Sequence, residues 1–308
     1  MLIEPRRPAV HFGLRYVADF ESAPRPEQIR TTARVAHLLG ADTLVVGRAR
    51  GVDPFVVLGA IAMEFDSLLV LAITTPADRS PAILAKAITA LDLVARGRAF
   101  LAISPGPPLP PALERAAPEE LGEGVKLGEA MEVCRAMLRV EAPSLRGHSI
   151  EITQAWNEPR PLEFGPTPLA LVVPPRAVNE AGSPEFKELL AISMRFADFC
   201  IFETALLHPG SRRRGRALED APSDPIASVI ATEVETARAR AGRLPGEVWL
   251  VAAIELGHDE HGAAVDETLA RATAWLKAGM DAVLIDVVPG DLVDVESLER
   301  LALLAHRR

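Results

Sequence analysis

Cysteine is nearly absent from this 308-residue chain. The two that occur, Cys134 and Cys200, lie in periodic segments with no CxxC spacing, which argues against a disulfide framework or a zinc site. Basic tails are also missing. With 33 Lys+Arg against 42 Asp+Glu, the formal net charge is -9 and the pI about 5.4, a balance that excludes general nucleic-acid binding. No apolar run approaches the roughly 18 residues of a membrane span. The opening "MLIEPRRPAV" carries no apolar h-region, so a cytoplasmic location is expected. No GxGxxG follows an apolar run, which speaks against an open dinucleotide-binding sheet, the second architecture considered.

What is present is a rhythm. Eight short aliphatic runs read as strands: Val10–Leu14, Thr43–Gly47, Leu68–Thr74, Ala99–Ser104, Leu169–Val173, Asp198–Phe202, Val248–Glu255 and Ala282–Val288. Most are continuously apolar, as strands covered on both faces should be. A helical pattern follows each. The third is the best marked, with Ser80 as N-cap, Pro81 at the first helical position and Gly97 past the end. Asp53-Pro54 and Asp224-Pro225 repeat the cap chemistry, and a last helix is read near Leu292–His306. Eight strand–helix units predict one (β/α)8 TIM barrel domain over residues 1–308, with excursions at 105–124, 144–156 (a small hairpin) and 207–222.

In such a barrel, chemistry gathers on the segments leaving the C-terminal strand ends. Those segments hold Arg48 after the second strand, "AITTPADRSP" after the third, "SPG" after the fourth, Gly182-Ser183 after the fifth and Glu255 at the end of the seventh. His258 and His261 of "ELGHDEHG" could ligate a metal with a carboxylate, or simply sit in a polar loop capped by Asp259 or His261. The basic "SRRRGR" run could attract a phosphate or an acidic tail, or be solvated. His11 reads as a barrel-interior residue. Ser22, Glu203 and His208 are further candidates for the mouth.

From Arg79 the chain reads "RSPAILAKAITALDLVARGRAFLAISPG". Together with "GADTLVVG", "DPFVVLGAIA", "GEAMEVCRAML", the Gly147 hairpin, "EPRPLEFGPTPLALVV" and "AISMRFADF", this resembles the bacterial luciferase-like family of flavin- and deazaflavin-dependent oxidoreductases. The resemblance covers about Ala33 to Phe202. It implies a luciferase-like barrel that binds coenzyme F420 or FMN at its mouth and passes hydride or electrons to a small organic substrate, in a monooxygenase-like flavoprotein and commonly as a homodimer. It also implies a non-prolyl cis peptide at Ala72-Ile73, which would cost ~3 kcal/mol and back the cofactor ring. Ala72, Ile73, Thr74, Ser104, Gly106, Gly182 and Ser183 would then contact cofactor, and Arg48 and Glu255 would be the catalytic candidates.

The sequence departs from the family in three loops. Arg48 stands where an acid–base pair is usual; it can hold an anionic oxygen or phosphate, or be a surface residue. Pro107 takes the place of an acidic residue, which speaks against a sugar-phosphate dehydrogenase activity. Gly182-Ser183 is the remnant of a phosphate cradle, or else a plain N-cap before Pro184. The alternative function is therefore a barrel that has lost its cofactor and serves as a binding or partner protein.

Overall fold

The computed structural model describes residues 12–18, 25–38, 40–47, 53–76, 79–105, 123–158, 165–204, 225–256, 258–259, 262–263 and 265–287. Eight parallel strands close on themselves: β1 (Phe12–Ala18), β2 (Thr43–Val46), β3 (Leu69–Thr74), β4 (Ala99–Ile103), β7 (Leu169–Val173), β8 (Phe199–Thr204), β9 (Trp249–Glu255) and β12 (Ala282–Val287). Closure is made by β1, which pairs with β2 on one side and β12 on the other. The helices around them are α1 (Pro26–Leu38), α2 (Pro54–Glu64), α3 (Pro81–Val94), α4 (Glu123–Arg139), α5 (Pro175–Asn179), α6 (Pro184–Phe196), α7 (Pro225–Ala241) and α8 (Val265–Lys277). The expected hairpin is present as β5 (Leu145–Arg146) and β6 (Glu151–Ile152). The expected last helix, near Leu292–His306, lies outside the described residues.

Alternation along each strand sorts the core into two layers. Val45, Leu71, Ala102, Ala170, Val172, Ile201 and Val251 fill the barrel, above Phe100, Phe199 and Trp249, whose rings meet edge to face at 5.7 and 6.1 Å. Leu44, Val46, Val70, Ala72, Leu101 and Ile103 face outward into the helix layer, with Leu58, Leu84, Ile88 and Leu190.

Local chemistry starts and stops the helices. Asp53 caps α2 by accepting the Phe55 N–H at 2.9 Å and also pairs with Arg79, which lies 5.3 Å over the Phe55 ring. Gly97 follows α3 at φ +84, a conformation that suits glycine. Ser80 sits at the N-cap position of α3, but its side chain makes no capping bond; Pro81 at the first helical position is the effective start signal.

Buried and half-buried polar side chains tie these units together. The Arg98 guanidinium donates to the carbonyls of Ala62 (3.0 Å), Phe65 (3.1 Å) and Leu68, collecting acceptors at the end of α2 and the start of β3. Asp92 accepts the Ala99 N–H at 3.1 Å and the Thr167 hydroxyl at 2.7 Å. Asp198 accepts the Leu169 N–H at 3.0 Å and two bonds from Arg139 at 2.5 and 2.6 Å. Glu129 on α4 accepts the N–H groups of His148 (2.6 Å), Ser149 (3.0 Å) and Ile150 (3.0 Å) and the Ser149 hydroxyl (2.7 Å). Those donors push its carboxyl below the usual glutamate value despite the opposing effect of burial.

Candidate functional site

The C-terminal end of the barrel carries charge where its lower layers are apolar. Four inward positions of the closing strands hold it: Arg15 on β1, Asp286 on β12, Glu255 at the end of β9 and Glu203 on β8. The ladder register aligns Arg15 with Asp286 and Asp286 with Glu255, while Glu203 lies opposite Ala253, one inward step below Glu255. The four groups therefore stand on four consecutive strands of the wall.

Arg15 is 1% exposed and Asp286 7%. Nε and Nη2 of Arg15 both donate to Asp286, the second at 2.6 Å, in a side-on bidentate pair. Nη2 also approaches Glu203 Oε1 at 3.5 Å. Burial alone would weaken the hold of Arg15 on its proton, but Asp286 and Glu203 outweigh it and keep the guanidinium charged. Burial pushes the Asp286 carboxyl up, with Arg15 pulling against it. Glu203 is pushed up as well, by burial first; Asp286 and Glu255 add to the effect and Arg15 opposes it.

Only part of this cluster was foreseen. Glu255 and Glu203 were expected at the mouth, and both are there, half-buried. Arg15 and Asp286 were missed. The first strand, read as Val10–Leu14, runs on to Ala18, so Arg15 is a wall residue instead of a loop residue. A signal existed: an acid inside the apolar run "AVLIDVV" must find a buried partner.

The other expected residues fall as follows. Ala72, Ile73 and Thr74 end β3, within the strand expected at Leu68–Thr74, and pair in register with Leu101, Ala102 and Ile103. Ile73 points inward and is partly exposed, whereas Ala72 packs outward among the helices; Thr74 shares its face. Ser104 occupies the next inward position on β4, its N–H donating to the Thr74 carbonyl at 2.9 Å. Ser183 caps α6, accepting the Phe186 N–H at 3.2 Å, with Pro184 at the first helical position. Gly182 beside it adopts φ +92, which suits glycine. Arg48, Gly106, His11, Ser22, His208, His261 and the 211–216 run lie outside the described residues.

Around the seventh strand, one expectation is corrected. His258–Asp259 form β10, paired antiparallel with β11 (Gly262–Ala263), so Asp259 is a hairpin residue and not the cap of α8. Among the described residues, no group of three or more His, Cys, Asp or Glu side chains is placed to hold a metal ion. A groove of about 430 Å³ lies between α6 and α7 on the outside of the barrel, lined by Lys187, Leu190, Arg195, Glu233 and Ala237, away from the charged mouth. No helix among the described residues is long and apolar enough to cross a membrane.

Comparison with known proteins agrees with the barrel fold. Among solved structures, an F420-dependent secondary alcohol dehydrogenase in complex with an F420-acetone adduct is similar over 97% of this chain and 99% of its own, with a TM-score of 0.71 at 14% identity. The coenzyme F420-dependent tetrahydromethanopterin reductase of Methanopyrus kandleri matches 96% of this chain and 97% of its own, at a TM-score of 0.67 and 16% identity. The oxygenating constituent of 3,6-diketocamphane monooxygenase from Pseudomonas putida, in complex with FMN, matches 97% of this chain and 98% of its own at 0.64 and 13%. At these identities the likeness is one of fold. The family model of the luciferase-like monooxygenases matches residues 11–202, well over half of the chain, and the protein belongs to that family.

Proposed function

We propose that the protein is a luciferase-like oxidoreductase that binds coenzyme F420, or failing that FMN, at the barrel mouth and passes hydride or electrons between it and a small organic substrate. The observation that carries this reading is the mouth itself: a charged, largely buried cluster on β8, β9, β12 and β1, with the inward, partly exposed Ile73 and Ser104 on the opposite arc of the barrel. A planar ring needs an apolar wall and polar donors at its edge, and this donor set fits one. Ile73 would form the wall, and Ser104 would face a polar edge. The turn at Gly182 and the N-terminus of α6 would receive an anionic tail through backbone N–H groups. Ala72 and Thr74 would contribute backbone only. Arg48 and Gly106 are retained as contacts, and Glu255 as the candidate acid–base group at the rim.

When bound, the cofactor would supply the hydride or electron transfer. The chain's own residues would bind and orient it, exclude water through the apolar layers below, and hold a proton at Glu203. The test is a titration of purified protein with FMN and with F420, followed by absorbance and fluorescence. Saturable binding of one of them is expected. Binding of neither would favour the second reading, a barrel that acts through partner binding.

A homodimer is part of the proposal. Val56 and Met63 on α2 are 71% and 75% exposed, and Ile83 and Val94 on the neighbouring α3 are 50% and 41% exposed. Two adjacent apolar faces of this kind suit a second copy of the chain. Light scattering coupled to gel filtration should give twice the 33.0 kDa chain mass, and Met63→Glu should shift it to the monomer.

A further inference from the structure

Arg15 makes three contacts from two of its nitrogens. Nε and Nη2 are engaged by Asp286, and Nη2 also faces Glu203. Nη1 is buried and has no hydrogen-bond partner among the described residues. A guanidinium presents Nη1 and Nη2 along one edge, so the open donor sits on the edge that Glu203 approaches at 3.5 Å. Buried donors are rarely left unpaired in folded proteins, and an unpaired one in a mouth points to an acceptor that arrives from outside.

The charges around it define that acceptor. Asp286 already neutralises Arg15 in a bidentate pair, so the guanidinium has a hydrogen bond to offer but no spare charge. Glu255 stands in the same register row and acts on Glu203 as a like charge, while Arg271 of α8 acts on Glu255. An incoming carboxylate would add a further negative charge to this row. An incoming ammonium would meet the Nη1 donor. A neutral oxygen acceptor suits both.

Resting on the reading of the mouth as a substrate site, we propose that its floor is a subsite for the carbonyl oxygen of a neutral organic molecule, which accepts one hydrogen bond from Arg15 Nη1 and a second from the Glu203 carboxyl beside it whenever that group carries its proton. Asp286 is then a positioning residue: it holds the guanidinium so that Nη1 stays open. Burial and the neighbouring carboxylates keep the Glu203 proton in place to higher pH than an exposed glutamate would allow, against the opposing pull of Arg15.

The test uses the whole protein without added cofactor and two neutral ketones, acetophenone and cyclohexanone, labelled with carbon-13 at the carbonyl; benzoate serves as the anionic counterpart. Infrared and carbon-13 NMR spectra of the carbonyl report hydrogen bonding directly. A ketone should bind with its carbonyl stretch lowered. Its affinity should fall as pH rises through the titration of Glu203, and benzoate should bind more weakly than acetophenone. Glu203→Leu should weaken ketone binding about tenfold, the effect of losing one good donor. Glu203→Gln still has an N–H to donate, and should keep the affinity while losing the pH dependence. A purely structural Glu203 would not produce that split. Three results overturn the proposal: neither ketone showing a bound carbonyl at any pH, a pH-dependent Glu203→Gln protein, or benzoate binding more tightly than acetophenone. The cofactor titration described above is run separately, so ketone binding without cofactor binding, or the reverse, tells the failure of one reading from the failure of the other.

Discussion

Removing the carboxylate of Asp286 is the most informative single change to the barrel. Asp286→Ala leaves the Arg15 guanidinium 1% exposed and strips the partner of both Nε and Nη2. Breaking a buried ion pair from one side costs about 3–5 kcal/mol, because the remaining charge is uncompensated. Glu203, 3.5 Å from Nη2, can take over part of the pairing as it ionises, which places the expected loss near the lower figure, about 3 kcal/mol. For a chain of this size that is a fall in Tm of roughly 6 °C, at about 2 °C per kcal/mol. The assay is urea denaturation followed by tryptophan fluorescence, backed by a thermal scan. The double variant Arg15→Met/Asp286→Leu removes both charges and fills similar volume, so it should recover most of the loss. A cost below about 1 kcal/mol for Asp286→Ala, or a double variant less stable than the single one, would refute the claim that this pair is a buried, mutually dependent unit.

Four further outcomes are expected. Gly147→Ala should destabilise the β5–β6 hairpin by about 1–2 kcal/mol, because a Cβ there would stand 2.7–2.9 Å from the Glu129 carboxylate; in a Glu129→Ala background, denaturation should show the same change costing almost nothing. The folded-state pKa of Glu129 is lowered, so its contribution to stability is present above the ordinary glutamate value and lost as pH falls through the lowered one; that of Glu203 is raised, so its contribution is present below the ordinary value and lost as pH rises through the raised one. Stability-against-pH curves should accordingly flatten on the acid side in Glu129→Gln and on the higher-pH side in Glu203→Gln. Arg98→Met should cost about 2–3 kcal/mol in urea denaturation, since three carbonyls lose their common donor. Cys134 and Cys200 are buried with their thiols pushed up to about 12, so neither should react with an aromatic disulfide reagent until denaturant unfolds the barrel.

The fold was legible because both its signals are local. Continuous apolar runs such as Leu169–Val173, which the structure reproduces residue for residue, mark strands covered on both faces, and Pro81 or Ser183-Pro184 mark helix starts within a few positions. Strand ends were less legible, since nothing in "FGLRYVA" says that Arg15 stays in the sheet once β12 neutralises it. The segments that carry the family resemblance owe much of their pattern to packing. Asp92 and Asp198 cap strands, Arg98 collects carbonyls, Glu129 and Gly147 meet at a hairpin, and Arg79 pairs with Asp53, the cap of α2. They report how the barrel is built, and say little about what it transforms. The charged floor depends on a contact between residues 271 positions apart, and no local pattern encodes the closure that brings Arg15 to Asp286. Glu203 and Glu255 were legible because a carboxylate at the C-terminal end of a barrel strand has few places to point but into the mouth.

The central claim is that this mouth holds a flavin-like ring against the inward face of β3. It is tested most directly by equilibrium titration of F420 and FMN into wild type, Ile73→Asp and a control altered in the α6–α7 groove, Ala237→Glu. The account predicts saturable one-to-one binding of one cofactor to wild type and to the Ala237→Glu protein, and its loss in a folded Ile73→Asp protein. Undiminished binding to Ile73→Asp, or loss of binding only in Ala237→Glu, would contradict it.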